Sequence, residues 1–127
     1  MGTWGAGNFE NDGALDWLGE VMTRLEAEID ACLATPDRAD LDEDGEEILM
    51  PSVEILTVLA EHLDASPPVA TKVRAWQTAY LAIFDDQIDG LARNPTFKDE
   101  RRPIIAATFA KLEALSLAYW GNESGPE

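Results

Sequence analysis

Residues 11–34 read NDGALDWLGEVMTRLEAEIDACLA, and this stretch decides the fold. Leu15, Leu18, Met22, Leu25, Ile29 and Cys32 recur at alternating steps of three and four, which places all six on one stripe of an α-helix. Glu20, Arg24, Glu26, Glu28 and Asp30 fall mostly off that stripe. Asn11 or Asp12 supplies a side-chain acceptor for the free N–H groups at the helix start. Thr35-Pro36 stops the pattern, because proline disfavours a helical residue before it.

The same logic extends in both directions. Residues 1–10 form a leader in which Gly2, Gly5 and Gly7 alternate with Trp4 and Phe9, aromatics large enough to be expected to pack onto the domain. Residues 36–47 form an acidic connector, expected to be solvated. Val53, Ile55, Leu56, Val58, Leu59 and Leu63 predict a second helix over 51–63, apolar enough to be covered on most sides, and Ser66-Pro67-Pro68 ends it. Val73, Trp76, Tyr80, Ile83, Phe84, Ile88 and Leu91 predict a third over 69–92, closed by Asn94-Pro95. Ile105, Thr108/Phe109, Leu112, Leu115/Ser116 and Tyr119 predict a fourth over 102–120, with Pro103 in its first turn. Residues 121–127 read as a frayed tail. No segment alternates as a strand does. The expected class is all-α: one domain, 1–127, shaped as a four-helix bundle of antiparallel neighbours behind a glycine- and aromatic-rich leader.

Bulk composition narrows function. The 127 residues are 46% hydrophobic, enough for a core without disulfides or metal. The single Cys32 forms no internal disulfide and, on the apolar stripe, reads as a small buried hydrophobe. No apolar run reaches the roughly 20 residues of a membrane span. The N-terminus lacks a basic-then-apolar signal pattern, and Ala6 stands where a myristoylation motif on Gly2 wants Ser or Thr, so a bacterial cytoplasmic location is expected. Twenty-five acidic against nine basic side chains give a formal charge of −16, which repels phosphate backbones and anionic lipid and suits a basic protein partner. Neither nucleic acid nor membrane is an expected partner, and the oligomeric state is open.

Two acidic patterns resemble metal chemistry. Asp40-x-Asp42-x-Asp44-Gly45 matches the first half of a calcium loop, but Pro51 replaces its bidentate Glu and Glu47 its apolar eighth residue. Asp85-Asp86-Gln87-Ile88-Asp89 spaces three carboxylates at i, i+1 and i+4, as in the magnesium-diphosphate motif of isoprenoid synthases. A chain this short with nine basic residues lacks the rest of that apparatus, and Asp89 four residues before Arg93 reads as a helical ion pair. His62 has no metal-ligand spacing around it and reads as a partly exposed helix-end residue; no nucleophile elbow or phosphate loop is present. No cofactor and no catalytic residue is expected. Trp17 and Trp76 read as packing residues, and Trp4 and Trp120 either close over the bundle or form an exposed patch.

The opening Trp4-Gly5-Ala6-Gly7-Asn8-Phe9-Glu10-Asn11-Asp12, followed by Ala14-Leu15-Asp16-Trp17, resembles the signature of the bacterial domain-of-unknown-function family 4259. That resemblance implies a helical single domain and brings no activity or ligand with it. Within the signature Asn11 and Asp12 begin a helix, Asp16 complements its positive end, and Phe9 can meet Trp17 around the first turns. Trp4, Phe9, Asn11, Asp12, Asp16 and Trp17 read chiefly as a structural clasp and are also the candidate interaction residues. Two functions follow as expectations. One is a non-catalytic interaction module, in its specific form an immunity- or antitoxin-like inhibitor of a basic partner. The other is a magnesium- or calcium-dependent protein using Asp85, Asp86 and Asp89 or Asp40, Asp42 and Asp44.

Overall fold

A computed structural model describes residues 3–91 and 94–121. Four helices follow one another: α1, Asp12–Ala34; α2, Met50–Leu63; α3, Ala70–Gln87; and α4, Pro95–Trp120. A π-helical turn, Gly45–Leu49, leads into α2, and a 3₁₀ turn, Ile88–Leu91, finishes α3. The all-α class is as expected. The frayed tail beyond Gly121 and the end of the third helix at Ala92 lie outside the described residues.

α1 starts where its side chains allow. Asn11 is extended and its Oδ1 accepts from the Ala14 amide at 2.7 Å. Thr35 ends it in extended conformation. Leu18, Met22, Ile29 and Cys32 are buried and Leu25 packs beside them, while Leu15 at the first turn stays at the surface. α2 ends at Asp64, a left-handed residue with φ of 56° that turns the chain into the 64–69 link. Val53 and Leu56 enter the core but Ile55 and Val58 remain exposed, so α2 is not covered on most sides.

α4 corrects the reading of two prolines. Asn94-Pro95 does not close the third helix; it opens the fourth, with Asn94 Oδ1 accepting from the Phe97 amide at 2.7 Å and Pro95 at the first position. Pro103 lies inside α4 rather than in its first turn. It is exposed, so the carbonyl one turn earlier that loses its donor faces water instead of the core.

α1 packs on α2 and α3, and α4 packs on α2 and α3. The helices therefore stand around the core in the order α1, α2, α4, α3. Arg74–Glu113 and Arg102–Asp85 pair rising with falling numbers, so α3 and α4 are antiparallel. Glu46–Arg101 and Glu61–Lys111 rise together, so α2 lies beside α4 with the same sense, unlike the all-antiparallel neighbours expected from short loops. The link 64–69 must then cross one end of the bundle. Tyr80, Phe84 and Phe109 fill the centre with Met22, Ile29, Leu49, Leu56, Ile105 and Leu112.

The connector is not a solvated loop. Ala39 and Leu41 are buried, and the Leu41 amide donates to Gln87 Oε1 at 2.9 Å while Gln87 Nε2 donates to Asp40 Oδ1 at 2.7 Å. Arg38 bridges Glu28 of α1 and Asp44 of the connector. Gly45 sits so tightly that a Cβ there would lie 2.2 Å from the Ala39 carbonyl oxygen and 2.9 Å from the Tyr80 ring.

Glycine substitutions separate packing from propensity. Gly45→Ala is expected to cost about 1–3 kcal/mol by overpacking. Gly19→Ala, in mid-helix with nothing within 4 Å of the added carbon, is expected to gain roughly 0.5–1 kcal/mol. Asn11→Ala is expected to cost about 1 kcal/mol through the lost cap. Urea unfolding followed by helical circular dichroism measures all three.

Candidate functional site

The aspartates singled out for metal are held by cations and amides. Asp85 takes both arms of Arg102 at 2.8 and 2.9 Å, which hold its carboxyl below the usual aspartate range. Asp89 accepts from Lys98 at 3.1 Å, whereas the Arg93 pairing expected for it lies outside the described residues. Asp86 and Asp42 are exposed. Asp40 accepts from Gln87 and Asp44 from Arg38. Among the described residues no three His, Cys, Asp or Glu side chains form a group able to hold a metal ion.

A second polar cluster ties the connector to the bundle. Glu46 receives Arg101 Nε at 2.8 Å and Nη2 at 3.2 Å, and the Tyr80 hydroxyl donates to the same carboxylate. Burial first, then the Glu46 carboxylate, push the Tyr80 phenol far above the ordinary tyrosine value, with Arg101 opposing. The Cys32 thiol is likewise pushed up by burial. His62 is mostly exposed, with Nε2 3.7 Å from Glu61 Oε1. The Glu61 carboxyl is itself lowered by its hydrogen bond from Lys111.

A sizeable concavity lies elsewhere among the described residues, at the end where the 64–69 link crosses. A groove of about 670 Å³ is lined by Asp16, Gly19, Glu20, Met22, Thr23, Arg24 and Glu26 of α1, Ser66 and Pro67 of the link, and Trp120 of α4. It continues into smaller hollows over Leu15, Leu18, Ala65 and Tyr119, and then over Trp4, Phe9, Leu15 and His62. The Trp120 indole N–H donates to the Pro67 carbonyl at 2.8 Å, the Tyr119 ring meets Trp120 edge-on at 4.7 Å, and Tyr119 Oη lies 2.8 Å from Ser66 Oγ. These contacts fix an aromatic corner that stays about half exposed. Glu26, beneath the rim, is raised by burial against the opposing pull of Lys72.

The candidate interaction residues are not gathered in one hollow: Trp4 and Phe9 line one and Asp16 another. Asn11 is spent as the helix cap, and Phe9 packs against the core. The leader closes on itself, with the Trp4 amide on the Glu10 carbonyl at 3.1 Å and the Gly7 amide on Glu10 Oε1 at 2.8 Å. Trp4 is nevertheless 57% exposed, so the leader does not bury it. Trp17 is 55% exposed instead of packed, in contrast to Trp76 at 3%. Asp12 is exposed, and Asp16 alone of the six lines the large groove. Glu20, Gly19 and Thr23 were legible only as off-stripe residues on the Asp16 side of α1. Pro67 was legible only as a helix stop.

The fold and groove define a small all-α bundle with an acidic, aromatic-cornered concavity at one end. Residues 2–117 match the model of the family described as "Domain of unknown function (DUF4259)", and the chain belongs to that family. No curated protein and no solved structure matches it. Among the described residues no helix is long and apolar enough to cross a membrane.

Tyr80 carries a pH prediction. Its folded pKa is raised, so the native state holds that proton more tightly than the unfolded chain, and the stability this confers is present below the unfolded value of about 10 and lost as pH rises above it. Chemical unfolding across pH 8 to about 11.5 is therefore expected to show a steeper alkaline loss in the native chain than in Tyr80→Phe. Parallel curves would show that the Tyr80–Glu46 contact contributes nothing to it.

Proposed function

We propose that the chain is a non-catalytic interaction module for a basic protein, in its specific form an immunity- or antitoxin-like inhibitor whose carboxylates occupy an enzyme's phosphate-binding surface. The observation that carries this reading is the groove over α1 and Trp120, whose lining holds three carboxylates, Asp16, Glu20 and Glu26, against the single cation Arg24. A groove of this size suits several residues of an extended segment. The charge of −16 supports rapid capture of a cationic surface, since complementary fields raise association rates and lose that effect in salt.

The distribution of cations adds support. Arg38, Lys72, Arg74, Lys98, Arg101, Arg102 and Lys111 are all engaged in ion pairs within the chain. The acidic surplus is thus left for the outer surface, where a basic partner relieves it.

Affinity purification of the tagged chain from its native host at low salt tests this. A basic protein retained in stoichiometric amount, released by salt and losing its own activity on a phosphate-bearing substrate when bound, is the expected result. Retention of none, or of a partner indifferent to salt, contradicts the reading.

A further inference from the structure

We infer that the groove takes an arginine- or lysine-bearing segment of the partner by seating one cationic side chain between the Trp120 ring and the carboxylates of Asp16 and Glu20. This rests on the reading of the chain as a binder of basic proteins and names the chemistry of its contact. Three observations converge on it.

The first is the aromatic wall. Trp120 is held by its indole N–H on the Pro67 carbonyl and by the edge-on Tyr119 ring, yet 44% of it remains exposed. Its polar edge is already satisfied inside the chain, so the exposed part offers apolar and π surface. A cation over a tryptophan face is attracted by the ring quadrupole, and the interaction is strongest on this residue type. Because the ring is already tethered, binding does not have to order it.

The second is the pair of carboxylates. Asp16 and Glu20 are one turn apart on α1 and line the same groove as Trp120. Among the described residues neither carboxylate is engaged in an ion pair or side-chain hydrogen bond. Arg24, the cation nearest along that face, turns its Nε to the Glu20 backbone carbonyl at 3.5 Å. By contrast Glu26 and Asp30, farther along α1, are occupied by Lys72. The vacancy for a positive charge therefore lies at the Asp16 end.

The third is the floor. Met22 and Pro67 close the bottom of the groove and are themselves buried, so the apolar contact for the methylene stem of a long basic side chain comes from the exposed Trp120 ring beside them. Asp16, Glu20 and Glu26 outnumber Arg24 along the lining, which disfavours nucleic acid and free phosphate.

The test is a two-dimensional amide titration of the full chain at low salt. The probe is a short blocked peptide alternating leucine and arginine, compared with the same peptide carrying neutral citrulline at each arginine. The arginine peptide is expected to shift the Trp120 indole signal, assigned through Trp120→Phe, together with the amides of Asp16, Gly19 and Thr23. The citrulline peptide is expected to leave them in place. Asp16→Asn with Glu20→Gln, and separately Trp120→Ala, are expected to weaken binding about five- to tenfold. Both sites are exposed, and unchanged dispersion elsewhere in the spectrum certifies the fold of each variant.

Shifts confined to the 40–47 connector, or equal binding of both peptides, overturn the inference. A native partner retained by wild type and equally by both variants also overturns it, while leaving the broader function standing. Wild type retaining no basic protein removes the broader function instead, and the peptide titration then decides this contact by itself.

Discussion

Scarce positive charge is the constraint around which this bundle is arranged. Nine cations face twenty-five carboxylic acids, and helices that bring acids together across a seam repel one another unless something intervenes. Five of the cations stand at those seams: Lys72 joins α3 to α1, Arg74 and Arg102 join α3 to α4, Lys111 joins α4 to α2, and Arg101 joins α4 to the turn before α2. Arg38 fastens the connector to α1. Individually such surface pairs are weak. Their value lies in removing repulsion where the chain must close, and the apolar core supplies the cohesion.

Among the described residues that arrangement leaves Asp16 and Glu20, in the first half of α1, without an ion pair. The link 64–69 crosses the bundle there because α2 and α3 are not neighbours around the core. Its prolines cannot extend either helix, so the crossing strand lies over the bundle end and leaves a groove between α1 and the last turn of α4. Uncompensated carboxylates and a tethered aromatic corner meet at this one place. The connector, more acidic along the sequence, is by comparison folded into the body through Leu41, Gly45 and Glu46.

Much of the scaffold was legible from local pattern. α1 announced itself because its stripe is one-sided and both ends carry stop signals, and Trp76, Tyr80, Phe84, Phe109 and Leu112 were readable as core by spacing. Asn94-Pro95 was ambiguous because an Asn-Pro pair both terminates one helix and caps the next, and only the packing of Phe97 and the residues after it decides. The connector misled because its acids dominate composition while its few other residues do the packing. Trp17 misled because size suggested burial, although a residue beside an inward-facing leucine is turned roughly 100° from it. The groove was not legible at all: Asp16, Pro67 and Trp120 share no periodicity, and only the diagonal crossing brings them together.

Family membership adds a fold-length match over residues 2–117 without supplying chemistry, so the physical picture must carry itself. Its centre is that the isolated chain retains unrelieved negative charge, the charge that the proposed cationic partner would neutralise. The most direct measurement is the melting temperature of the purified chain as sodium chloride rises from about 0.01 to 0.15 M, over which the screening length shrinks from about 30 to 8 Å. If residual repulsion outweighs the seam pairs, the melting temperature rises steadily through that range. A fall would mean that attraction dominates the unbound protein, and that no surplus field remains for a partner to relieve.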